Sequence, residues 1–214
     1  MSTWNRVGAV TAAAFVLGVS PAFAANVTES YDLSDFDKIE IAGVFDATVT
    51  VGGDVFAISL EGPEAEMART TASVENGVLV LKQKGESKKG ERQGVDATIA
   101  LPALSSLEIS GVAQADVTGV DAGDFDVRIS GVGEVDVDGA CETLTAKLSG
   151  VGELNARGLE CAVVDVSLSG VGDATVFASE RIKARVGGMG EIDVYGDPKE
   201  VDANKGFLSK INIR

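Results

Sequence analysis

Between Ile109 and Val194 one nine-residue phrase is written five times: Ile109-Ser-Gly-Val-Ala-Gln-Ala-Asp-Val117, Ile129-Ser-Gly-Val-Gly-Glu-Val-Asp-Val137, Leu148-Ser-Gly-Val-Gly-Glu-Leu-Asn-Ala156, Leu168-Ser-Gly-Val-Gly-Asp-Ala-Thr-Val176 and Val186-Gly-Gly-Met-Gly-Glu-Ile-Asp-Val194. The third residue of each copy, Gly111, Gly131, Gly150, Gly170 and Gly188, recurs every 18 to 20 residues. A fixed interval of this length predicts a solenoid, whose coils bury their apolar faces only against their neighbours.

The residues before each anchor glycine say what kind of solenoid. Two, four and six positions upstream stand Phe125, Val127 and Ile129; Leu144, Ala146 and Leu148; Val164, Val166 and Leu168; Ile182, Ala184 and Val186. Polar residues fill the gaps. Period-two alternation is that of a strand with one buried face, and a second alternating run follows each glycine, with Val135 and Val137, Leu154 and Ala156, Ala174 and Val176, and Ile192 and Val194 facing inward. The expected fold is all-β: a right-handed parallel β-helix of about 20 residues per coil, right-handed because parallel crossovers are. Glycine at the anchor and two residues on supplies the φ > 0 freedom or the close approach that a bend needs. Val112, Val132, Val151, Val171 and Met189 lie between these glycines and are expected to turn into the core; turned outward, they would form an exposed adhesive stripe.

Residues 25–104 read as short strands, Phe36–Ile41, Phe45–Val51, Val55–Leu60, Val78–Leu81 and Val95–Leu101, with a turn or two of helix at Ala65–Thr71 and a tight turn at Asn76-Gly77. The stretch Ile41-Ala-Gly-Val-Phe-Asp-Ala-Thr-Val49 echoes the copy at Leu168–Val176. This N-terminal segment is therefore expected to be a diverged part of the solenoid, continuous with the repeats of 105–214. Lys82–Gly94 is a basic island, expected to be a solvated loop.

Residues 1–24 have the form of an export signal: Arg6, an apolar run from Val7 to Val19, and Ala22-Phe23-Ala24 as the cleavage site. Its removal takes away one arginine and no acid, so the formal charge moves from −15 to −16. Such a chain repels nucleic acid and favours basic partners or divalent cations. No later stretch reaches the ~20 apolar residues of a membrane span. Cys141 and Cys161 each lie nine residues before an anchor glycine, one coil apart. Equivalent positions in stacked coils are ~4.8 Å apart, within disulfide reach, so a Cys141–Cys161 bond is expected in an oxidising compartment.

Stacking also sets Gln114, Glu134, Glu153, Asp173 and Glu191 in one outward column and Asp116, Asp136, Asn155, Thr175 and Asp193 in the next. These acids are the candidate binding surface. Adjacent exposed carboxylates repel by ~1 kcal/mol, which solvation, a bound calcium ion or the basic column of Arg128, Lys147 and Arg185 would relieve. The chain has no histidine, the commonest base for a serine or cysteine nucleophile, and its acids recur in every coil where an active site is a single place. A polysaccharide-active β-helical enzyme, with or without a calcium requirement, is the alternative to a non-enzymatic binding protein.

The repeated Ser-Gly-Val-Gly-Glu-x-Asp-Val frame, closed by Val194-Tyr-Gly-Asp-Pro198, resembles the auto-transporter adhesin head domain family, the head GIN domain. The resemblance implies a β-helix-like, exported bacterial protein of adhesin type. With the long regular surface of the coils, the expectation is a periplasmic or cell-surface protein that binds an envelope, glycan or cell-surface ligand, and self-association through an unprotected end coil is a further option.

Overall fold

The computed structural model describes residues 26–85 and 94–214. The export signal and most of the basic island lie outside them. In chain order the elements are β1 (Asn26–Tyr31), β2 (Lys38–Ala42), β3 (Val44–Val51), β4 (Ala57–Pro63), α1 (Glu64–Met67), β5 (Thr70–Glu75), β6 (Val78–Gln83), β7 (Val95–Leu101), β8 (Ser106–Ile109), β9 (Val112–Ile129), β10 (Val132–Leu148), β11 (Val151–Leu168), β12 (Val171–Val186), β13 (Met189–Tyr195), β14 (Glu200–Lys205) and β15 (Ser209–Ile213). The fold is a β-solenoid. The long strands β9 to β12 stack in parallel, with β3 below them and β13, β14 and β15 above.

Each coil breaks at the Ser-Gly pair. Ser130 and Gly131 both donate their backbone N–H to the Ile109 carbonyl, at 2.8 and 3.3 Å, and the same fork recurs on Ile129 and on Leu148. Two donors on one acceptor make a bulge that bends the strand. The next amide, Val132, donates to the Gly111 carbonyl at 2.9 Å and restarts the ladder. A second bend lies near Gly119 and Gly139, both at positive φ (80° and 141°). There the pairing skips residues, between Asp136 and Gly139 and between Ala156 and Glu160. The slips absorb the unequal coil lengths, so the anchor glycines stay in register.

The N-terminal segment is continuous with the repeats, as the echo at Ile41–Val49 implies. Val44 pairs with Val112 and Thr50 with Thr118 without a slip, and Ile41 pairs with Ile109 through β2 and β8. Beyond that coil the topology changes. Strands β1, β4 and β7 pair antiparallel, and β5 and β6 form a hairpin across Asn76-Gly77, whose φ values of 52° and 78° suit a two-residue turn. Phe36 packs on Phe56 with ring centroids 5.0 Å apart, and Met67 of α1 closes that end of the core. Tyr31 donates to Glu29 (2.8 Å); burial and that carboxylate push its phenol up to about 12.

One apolar core runs from Phe36 to Val194. The inward positions read from the alternation, such as Phe125, Val127, Ile129, Leu144, Val164 and Ile182, are all buried. The disulfide forms as the coil spacing requires: Cys141 pairs directly with Cys161, Cα to Cα 4.6 Å.

The expected inward turn of the ladder is wrong. Val112, Val132, Val151, Val171 and Met189 are between 40% and 52% exposed. The bend does not reset the alternation: inward positions continue through it as Ile129, Gly131, Gly133 and Val135, and Val132 therefore points out. Glycine takes the inward places because the coil beneath leaves no room there. A Cβ on Gly131 would meet the Gly111 carbonyl, and one on Gly152 the Gly133 carbonyl.

Candidate functional site

The outward side of β9 to β13 carries the candidate site. Gln114, Glu134, Glu153, Asp173 and Glu191 are consecutive partners across the ladders, and so are Asp116, Asp136, Asn155, Thr175 and Asp193. Both columns thus exist as geometry. Alternation explains them, since each acid is separated from the next along its strand by one buried residue: Val135 between Glu134 and Asp136, Ile192 between Glu191 and Asp193.

Relief of the carboxylate repulsion comes from within the columns and from residues absent from the sequence-derived set. Asn155 donates to Asp136 (2.6 Å), and the Glu191 amide donates to Asp173 (2.8 Å). At the C-terminal coil, Lys210 pairs with Glu191 (3.1 Å), Arg214 with Asp193 (3.0 Å), and Asn212 bridges Glu191 and Asp193. The signal for these was present: Lys210-Ile-Asn-Ile213 alternates in register with Glu191-Ile-Asp-Val194. Arg128, Lys147 and Arg185 do not serve the acidic columns. They stand upstream of the bend, where Arg128 pairs with Asp126 (3.2 Å) and Arg185 with Asp202 (3.4 Å). Among the described residues, no three His, Cys, Asp or Glu side chains converge as a metal site would require.

The place of Asn155 gives a direct test of the column. Changing Asn155→Asp removes the donor to Asp136 and sets two carboxylates face to face, a combined cost of about 1 to 2 kcal/mol. We expect the melting temperature to fall by about 2 to 8 °C at low salt and to recover in part in high salt, which screens the repulsion but does not restore the donor. An unchanged melting curve would show that the side chain at 155 does not matter to the column.

Beside the acids runs the exposed ladder of Val112, Val132, Val151, Val171 and Met189. Between ladder and acids is a shallow groove of about 500 Å³, floored by Gly133, Gly152 and Gly172. On the other side of the bend the corner serines form their own row. Ser110, Ser130 and Ser149 donate weakly to carbonyls of the coil beneath, at 3.4 to 3.5 Å. They act as bend residues, each with its hydroxyl turned to the backbone.

This architecture is shared with solved structures. An adhesin-named protein from Bacteroides fragilis NCTC 9343 ("putative adhesin") is 26% identical, with a TM-score of 0.76 over 89% of this chain and 97% of its own. A protein from Parabacteroides distasonis ATCC 8503, named "Putative lipid binding protein", shares the fold at 19% identity and a TM-score of 0.51, over 88% of this chain and 96% of its own. No curated protein sequence matches the chain. The family model described as "Putative auto-transporter adhesin, head GIN domain" matches residues 35–198, the span that holds the glycine-cornered coils and their N-terminal cap, and the chain belongs to that family.

Proposed function

We propose that the protein is an exported, non-enzymatic binding protein that presents its outward acidic columns to an envelope, glycan or cell-surface partner. The observation that carries this reading is a carboxylate at the same outward position of four successive coils, Glu134, Glu153, Asp173 and Glu191. A repeated array suits multivalent contact with a repeating ligand, because linked weak contacts gain avidity with no new chemistry. Membership in an adhesin-named family supports binding, and the Cys141–Cys161 bond supports an oxidising compartment outside the cytosol.

The test is retention on immobilised polysaccharides and envelope fractions, with calcium and with a chelator. Wild type is expected to be retained, the triple variant Glu134→Gln, Glu153→Gln, Asp173→Asn to lose at least about tenfold in affinity, and the polysaccharide to elute at its original length. Shortened chains would establish the enzyme instead. Equal retention of the triple variant would move the binding surface away from the columns.

A further inference from the structure

The valine and methionine ladder has flanks whose charges follow a rule. Four residues before each ladder residue stands one side chain, and two residues after it stands another. The five coils read Glu108 and Gln114, Arg128 and Glu134, Lys147 and Glu153, Ser167 and Asp173, Arg185 and Glu191. Both sets are consecutive partners in the ladders, so they form two continuous rows, one on either side of the stripe. Wherever the upstream row has a cation, the downstream row has an acid. Where the upstream row is acidic, at Glu108, the downstream residue is the uncharged Gln114. At Ser167 the acid is matched by a hydroxyl.

Nothing inside one chain requires this matching, because the rows lie on opposite sides of the bend and, among the described residues, no ion pair joins one row to the other. Arg128 bonds Asp126, Arg185 bonds Asp202 and Lys210 bonds Glu191, all solvent-exposed contacts of the weak, exchangeable kind. A second copy does require it. A two-fold axis along the solenoid direction, beside the ladder, exchanges the left and right flanks and keeps every coil at its own height. Each cation then faces the acid of the same coil in the other copy, and the two apolar stripes meet between them.

We infer that the exposed ladder is the seam of a parallel, two-fold dimer of this chain. The contact joins Arg128, Lys147 and Arg185 of one protomer to Glu134, Glu153 and Glu191 of the other, around Val132, Val151, Val171 and Met189. It covers an apolar row that a lone protomer leaves in water. Its N-terminal limit is set by the coil of Val44, where Glu40 and Asp46 occupy the two flank positions and would oppose acid to acid. The seam spans about five rungs, or roughly 20 Å, which is a small interface and so a reversible dimer, in which the second copy competes with the proposed ligand for Glu134, Glu153 and Glu191.

Sedimentation velocity from micromolar to millimolar protein, without any ligand, tests the proposal. Wild type is expected to pass from monomer to dimer, and Val151→Asp with Val171→Asp to remain monomeric with an unchanged unfolding temperature. Lys147→Glu alone is expected to weaken association by about tenfold, and Lys147→Glu with Glu153→Lys to restore it, because the swapped charges face each other across the two-fold. Single-cysteine variants fix the direction: Val132→Cys and Val171→Cys should each crosslink to its own equivalent. A wild type monomeric throughout, a dimer that survives the two aspartates, an absence of rescue, or crosslinks only between the two different cysteine variants would overturn it.

Discussion

Gly150→Ala is expected to destabilise the protein by about 3 kcal/mol or more, a fall of ~6 to 12 °C in melting temperature for a chain of this size. Gly150 has no positive φ to protect, and its constraint is space. An alanine Cβ there would overlap the Gly131 carbonyl oxygen and stand 2.7 Å from that of Ser130. These are backbone atoms, held by the Val151 amide bonded to the Gly131 carbonyl at 3.0 Å and the Ser149 amide bonded to Ile129 at 2.8 Å. Neither yields without opening the corner. Relief by a shift of one coil would pass to its neighbours, since Gly170 rests on Gly150 in the same way. Gly123→Ala is the control: nothing lies within 4 Å of the place its methyl group would take, and its φ is not positive, so its effect should stay within about 0.5 kcal/mol. Thermal unfolding of the two variants decides the matter, and equal melting temperatures would remove the close-approach account of the anchor glycines.

Loss of the disulfide is expected to rank next. Cys141 and Cys161 close a 20-residue separation, for which the chain-entropy model gives about 3 kcal/mol and hence ~6 to 12 °C. Position adds to this. The bond stands just after the register slip between Asp136 and Gly139, where the ladder between β10 and β11 is interrupted. It ties two coils close to the point where their ladder is interrupted. The double variant Cys141→Ala, Cys161→Ala should melt at the temperature of reduced wild type and respond no further to reductant. Wild type that melts at the same temperature with and without reductant would contradict the assignment.

Both expectations rest on features legible in the sequence, as does much of the site. The anchor spacing set the coil length, the alternation at Phe125-Asp-Val-Arg-Ile129 and its counterparts set the buried face, and equal offsets from the anchors placed Cys141 over Cys161. The acidic columns followed from the same register. The strand β5 was not legible, because Thr70–Glu75 offers only Ala72 and Val74 as alternating apolar residues; Thr70 and Thr71, expected in the helical turn of Ala65–Thr71, lie instead in a strand held by pairing with β6, whose Leu79 and Leu81 are buried, and the helix ends at Met67. The column partners Lys210, Asn212 and Arg214, and the role of Asn155 as donor to Asp136, were missed because their value depends on which charge stands in the next coil, a neighbour about 20 residues away.

A parallel stack of glycine-cornered coils, the inward and outward positions along its straight segments, and the disulfide all follow from the order of residues alone, because each is a local pattern repeated at a fixed interval. What happens at the corners follows only from the packing of one coil on another. Whether Val132 and its equivalents enter the core depends on whether the bend preserves the alternation, and that is set by two amides converging on one carbonyl of the coil beneath. The same contact makes the anchor positions too tight for any side chain, so glycine takes them, and the valines are left outside, where they form the surface on which self-association is proposed.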